Sequence, residues 1–236
     1  MVTTWDDRYE GVWERLLLSL PGEAVDTLTR VSWIQAPHYY VDLRQPRGLR
    51  GKVRATCLAE LRMDEAHLLS GQQGFAGTFA LQGQEATWLR GIDYQPPGEL
   101  GDRGRLEVEG DLLIEHGIEA DYIEYWQRDA AGADGGAVSM GARFVSVDDG
   151  CPVIMVRHGA QFGYARARGR TVGRNIDLAR MVGQADMAAA RDLLDCEIAV
   201  GRVTPEGWLI DRSTLPWREG AMLLAANAAI AGDMLA

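Results

Sequence analysis

Two short stretches of the chain alternate aromatic rings with charges, the spacing that gathers every second side chain on one face of an extended strand. Trp88 and Arg90 share one such face, and Tyr122, Glu124, Trp126 and Arg128 share another. A third stretch, Tyr39 to Arg44, sets Tyr40, Asp42 and Arg44 opposite Tyr39, Val41 and Leu43. Faces of this kind, turned toward a common interior, would line an amphipathic pocket. The rings would supply area, while Arg44, Arg90 and Glu124 fix the polar group of a small amphipathic or hydrophobic ligand. The plainer alternative is structural: buried charges persist only when partnered, so Arg90 and Glu124 would pair and close one end of the fold. A catalytic alternative, an isomerase or hydrolase, takes Glu115 or Glu124 as base and Arg44 or Arg90 as anion stabiliser, and requires both carboxylates in one cavity.

Other chemistry finds no support. His38, His67, His116 and His158 are too scattered for a metal-ligand pattern, and no HExxH, GxSxG, P-loop or GxGxxG occurs, so neither a metal nor a cofactor is expected. Ser139, Ser146 and Ser213 sit in strand-like segments without a strained elbow, which leaves no candidate nucleophile. Cys57, Cys151 and Cys196 form an odd set without CxxC spacing and read as isolated core thiols. The sequence therefore favours a binding protein over an enzyme, with an interaction module built on a filled barrel as a third class.

The elements that must position these residues are strands. Alternating polarity, punctuated by Gly-containing turns such as Gln82-Gly83-Gln84, Glu109-Gly110-Asp111 and Asp148-Asp149-Gly150, predicts strands at 11–19, 28–36, 39–45, 74–82, 85–92, 105–110, 112–117, 120–128, 138–147, 152–158, 161–168, 196–204 and 207–213. Two helices interrupt them: 64–70, capped by Asp64 with Leu68 and Leu69 inward, and 177–194, which Gly183 is placed to split. The Ala-rich tail 221–236 reads either as a terminal helix or as a last strand leading into one. Residues 129–137 lack any large apolar side chain and form a loop; the chain is read as a single β-rich unit over 1–236, with this loop as the boundary if it consists of two packed halves. So many antiparallel strands avoid open edges best by closing, so a mainly β fold with an antiparallel β-barrel is expected.

Composition agrees with a folded protein. Hydrophobic residues make up 47% of the 236 and charged residues 25%, which is ordinary for a globular domain. A net charge of −10 disfavours nucleic acid as partner, although Arg166, Arg168, Arg170 and Arg174 make a local basic strip. The N-terminus carries Asp6, Asp7 and Glu10 and no basic start followed by an apolar run, so no signal peptide is expected and the cytoplasm is the default location. The longest apolar run, 221–231, is too short to span a bilayer. Oligomeric state is left open.

Gly11-Val12-Trp13 opens the first strand, with Trp13 placed to form the floor of a barrel, and lipocalins and their calycin relatives begin in this way. The later order Gly74-Phe75-Ala76-Gly77, Trp88-Leu89-Arg90, Asp102-Arg103-Gly104, Glu115-His116-Gly117, Tyr122-Ile123-Glu124-Tyr125-Trp126 and Val153 to Arg157 resembles the uncharacterised Hri-type family of fungi and bacterial relatives, over about Phe75 to Tyr164. That resemblance implies a calycin-like, lipocalin-like barrel. It implies no activity, because the family has none assigned and function resides in sites rather than folds.

Overall fold

The computed structural model describes residues 6–130 and 138–225. Eight strands, β1 (Gly11–Ser19), β2 (Thr29–Gln35), β3 (Tyr39–Pro46), β4 (Gln73–Gln82), β5 (Glu85–Asp93), β6 (Arg103–Glu109), β7 (Leu112–Gly117) and β8 (Ile123–Arg128), close into an antiparallel barrel. Six more, β9 (Ser139–Val145), β10 (Pro152–His158), β11 (Gln161–Arg166), β12 (Glu197–Thr204), β13 (Gly207–Ser213) and β14 (Met222–Ala225), form a second sheet in the order β14-β13-β12-β11-β10-β9. The fold is thus mainly β with a closed antiparallel barrel, as the alternation and turn chemistry predicted. Each barrel strand pairs with the next in sequence, and β8 returns to β1, so no barrel strand is left with an open edge.

Period-two alternation decides what fills the barrel. Trp13, Val31, Trp33, Tyr40, Phe75, Phe79, Trp88, Leu106, Leu113 and Trp126 all turn inward and form one buried cluster. Trp33 is its hub: its ring lies 6.1 Å from Trp13, 5.6 Å from Trp88 and 5.8 Å from Trp126 between centroids. At one end the turn Asp7–Tyr9 folds under the barrel, and the Trp13 indole donates to the Tyr9 carbonyl at 2.9 Å. Arg128 seals this floor by lying 4.1 Å over the Trp13 ring while its guanidinium donates to the carbonyls of Arg8 and Glu10.

The opposite parity of β2 to β4 carries Ile34, Val41, Leu43 and Ala76 outward, where they meet Ile154, Val156, Ile198 and Val200 of the second sheet in a separate core. The helices α1 (Met63–Ser70), α2 (Leu178–Gln184) and α3 (Met187–Leu194) extend this core with Leu69, Leu178, Val182 and Leu194. The approach is close enough to require glycine. A Cβ on Gly163 would lie 2.6 Å from Cβ of Val41, and one on Gly77 would lie 1.9 Å from the Leu89 carbonyl oxygen, at a bulge in the β4–β5 pairing.

Several local expectations are corrected. The long helix breaks at Ala185 rather than at Gly183, because Asp186 accepts the Ala189 N–H and starts a new helix. Arg62, not Asp64, is the N-cap of α1, and Glu65 accepts the Arg62 N–H at 3.2 Å. Leu69 is buried but Leu68 is exposed, and Cys57 is exposed rather than in the core. The basic strip is interrupted, since Arg166 pairs with Asp149 and Asp195 and Arg168 is buried against the Tyr94 carbonyl. In the tail, residues 222–225 form a strand, and 226–236 lie outside the described residues, as do 131–137 of the expected loop. No helix among the described residues is long and apolar enough to cross a membrane.

The Gly163 contact yields a stability test. Gly163→Ala overpacks the seam between barrel and second sheet and is expected to cost about 1–3 kcal/mol in urea unfolding. Gly98→Ala, where a Cβ meets no atom within 4 Å, is expected to stay within about 0.5 kcal/mol. Equal effects at both positions would remove the seam as a packing constraint.

Candidate functional site

The far end of the barrel, away from Trp13, is charged. Glu115 on β7 and Glu124 on β8 are direct cross-strand neighbours, so both point inward, and they are 4% and 2% exposed. Two carboxylates so close cannot both ionise cheaply away from water. The structure separates their roles through their partners. Glu115 accepts from the Tyr122 hydroxyl at 2.7 Å and from the Trp126 indole at 3.2 Å. Burial, reinforced by the Glu124 charge, holds its carboxyl well above the usual range. Glu124 instead accepts from Arg15 at 2.6 Å and from Arg44 at 3.3 Å.

The network continues outward. Arg44 also grips Asp42, with Nε donating at 2.9 Å and Nη2 at 3.2 Å, and Arg15 reaches Asp26 at 2.8 Å. Burial pushes the Asp42 carboxyl up, against the pull of Arg44. Arg90 lies at the rim with its guanidinium 3.6 Å over the Phe75 ring, held by Asp102 at 2.8 Å and Asp93 at 3.3 Å. Burial raises the Asp93 carboxyl to about 6 even though Arg90 opposes it.

The residues singled out in the sequence therefore converge. Arg44, Trp88, Tyr122, Glu124 and Trp126 meet at this end, and Trp13 forms the floor at the other. Two expectations are corrected. Arg90 does not pair with Glu124, because it is held by Asp102 and by Asp93, which the β-bulge beside Gly77 turns to the Arg90 side of the strand. The interior is also not an amphipathic cavity: the void bounded by Trp33, Asp42, Arg44, Phe75, Trp88 and Trp126 measures about 10 Å³, room for one water at most. Arg15 was missed, although its signal was present, since it follows Trp13 by two residues and so shares the inward face.

A much larger space lies next to this end, outside the barrel. A cleft of about 590 Å³ opens between the ends of β1 to β3, the loop after β3 and strand β13 of the second sheet. Arg15 lines it while its guanidinium holds Glu124, so one side chain joins cleft and barrel interior. Arg212 forms its back wall; it donates to the Ser32 hydroxyl, which in turn donates to Glu14. No group of three or more His, Cys, Asp or Glu suited to a metal occurs among the described residues.

Comparison with known proteins adds to the fold. No family model matches the chain, and a search of curated proteins finds no match. A solved structure is similar. It is the crystal structure of the uncharacterized protein YLR301w from Saccharomyces cerevisiae, with a TM-score of 0.54 and 11% identity, covering 86% of this chain and 84% of that one. The likeness extends over the barrel and the second sheet together and establishes shared architecture without a shared activity.

Two outcomes follow from the polar end. Arg15→Ala leaves the buried Glu124 with Arg44 alone and is expected to cost about 3–5 kcal/mol in chemical unfolding; a loss under about 1 kcal/mol, the size typical of a surface pair, would show that Glu124 is not held as a buried ion. Asp93 tests the pH dependence. Its folded pKa lies above its unfolded one, so its contribution is present below about pH 4 and is lost as pH rises through about 6, by about 3 kcal/mol in all. Asp93→Asn should match the parent near pH 4 and exceed it in stability at pH 8, whereas parallel pH curves would mean that Asp93 titrates as an ordinary carboxylate.

Proposed function

We propose that this protein is a small-molecule-binding protein whose ligand sits in the cleft between barrel and second sheet rather than inside the barrel. The contrast in volume carries the reading: about 590 Å³ in the cleft against about 10 Å³ in the interior, where ligand sites commonly occupy roughly 300–1,000 Å³. The amphipathic or hydrophobic ligand expected between Trp88, Arg90 and Trp126 finds no room there. Polar groups in the cleft wall point to a polar ligand instead.

Binding is favoured over catalysis. Glu115 and Glu124 do converge near Arg44, the arrangement an acid–base enzyme needs, but they enclose no space in which a reacting bond could lie. The filled aromatic interior supports a second reading, the interaction module, in which the barrel is a rigid support for a protein partner. Kinship with the Hri-type family is part of this proposal and is supported by the motifs on β4 to β8 and β10. Buried, unpaired Cys151 and Cys196 suit a reducing compartment and support the cytoplasm as the proposed location.

Thermal-shift and calorimetric screening of the full chain against a metabolite panel tests the cleft. A ligand whose binding is lost in Thr29→Trp, which fills the cleft, and kept in Arg90→Ala, which opens the barrel rim, is the expected result. The reverse pattern would return the ligand to the barrel, and no saturable small molecule alongside a captured, dissociable protein partner would favour the interaction module.

A further inference from the structure

The cleft is not evenly charged. Five arginines line it, Arg15, Arg30, Arg47, Arg50 and Arg212, against three carboxylates. The carboxylates are already engaged: Glu14 with Ser32 and, at 3.7 Å, Arg212; Asp211 with Arg202 at 2.7 Å; and Glu219 with Arg50 at 3.8 Å. Arg30 and Arg47 have no carboxylate within 4.0 Å among the described residues. The cleft therefore holds positive charge that its own wall does not neutralise, in a chain whose net charge is −10.

Arg212 is the least expected of these residues. It is 9% exposed, yet its Nη1 has no hydrogen-bond partner and no solvent contact. A guanidinium is costly to bury with a donor unmade. Burial lowers its pKa to about 10, and the nearby Arg30 charge pushes in the same direction while Glu14 opposes it. Two like charges gathered at one wall, one of them short of a partner, are stabilised by an anion placed between them.

We infer that the cleft is a site for a small polyvalent oxyanion, a molecule bearing phosphate or carboxylate groups, held between Arg30, Arg47 and Arg212. The assignment rests on the cleft being the ligand seat. Arginine suits the role because its planar fork meets two oxygens of a phosphate or carboxylate at once. Arg30 and Arg47 are both exposed and lie close together in register, Arg30 on β2 opposite Gln45 and Arg47 directly after the end of β3, so both can reach an anion that enters. Arg212, fixed through Ser32, would give the anion its fixed point.

Calorimetric titration of the full chain with sodium pyrophosphate and with sodium citrate, at constant ionic strength and with choline chloride as control, tests this. Saturable one-site binding of at least one of the two anions is expected, and a preference for either tells phosphoryl from carboxylate recognition. Arg30→Gln and Arg47→Gln should each weaken it by roughly tenfold or more without lowering the melting temperature, because both side chains are exposed. Arg212→Lys, which keeps the charge and loses the fork, should weaken it as well. Binding that the glutamine variants leave unchanged overturns the assignment. Failure of both anions while an uncharged metabolite binds in a manner lost in Thr29→Trp overturns the oxyanion and leaves the cleft as the ligand seat, whereas the absence of any saturable small molecule overturns both.

Discussion

Two carboxylates that face each other inside a closed barrel impose the constraint on which the rest of this structure depends. Glu115 and Glu124 are buried on adjacent strands, and burial of like charges at that distance forces them into different states. Burial and the Glu124 charge keep Glu115 toward its neutral form even though Tyr122 and Trp126 donate to it, while Glu124 takes two guanidiniums. Those guanidiniums need somewhere to lie. Arg15 and Arg44 occupy the space that a ligand would otherwise fill, and Trp33, Trp88 and Trp126 close around what is left. The filled interior is thus a consequence of neutralising a buried acid, because a network this deep in the barrel is tolerable only when each charge finds its partners.

How much of this was legible follows from which rule each residue obeys. The inward faces of Trp88, Tyr122, Glu124 and Trp126 were readable because side-chain direction in a strand has period two, and nothing between them disturbs it. Arg90 keeps the Trp88 face, with its guanidinium over Phe75, but the β-bulge beside Gly77 turns Asp93 to the same side, and its partners are Asp93 and Asp102. A bulge of this kind is set by how two strands meet, which no single strand announces. Alternation also left open which face of β3 was inner: Asp42 and Arg44 enter the barrel, and Val41 and Leu43 cover its outside only because the second sheet is there to bury them. The cleft was least legible of all, since Arg30, Arg47 and Arg212 come from β2, a loop and β13, and only packing brings them together.

The second sheet explains where that cleft lies. It covers the outer faces of β2 to β4 with Ile154, Val156, Ile198 and Val200, so the barrel presents an apolar wall to it over most of their contact. Beyond that contact the strands of the barrel end, and their polar residues turn toward the space left between two curved surfaces. Clefts at the junction of two packed units are common seats for ligands. Here Arg15 ties the two regions together, lining the cleft on one side of the barrel wall and bonding Glu124 on the other. A change in the cleft is therefore felt in the barrel through one side chain.

The net charge of −10 does not exclude an anion from such a place, because charge acts over short distances. At physiological ionic strength the field of a charge is screened within about 8 Å, so the −10 carried by the whole chain weakens the approach of an anion more than its binding. Within the cleft the nearest charges decide, and these are arginines whose local carboxylates already have partners. A walled space also strengthens each contact, because part of the water that would screen it is excluded. Acidity elsewhere on the surface slows the approach of any anion, and a ligand with several oxyanion groups offsets the loss by meeting several guanidiniums at once.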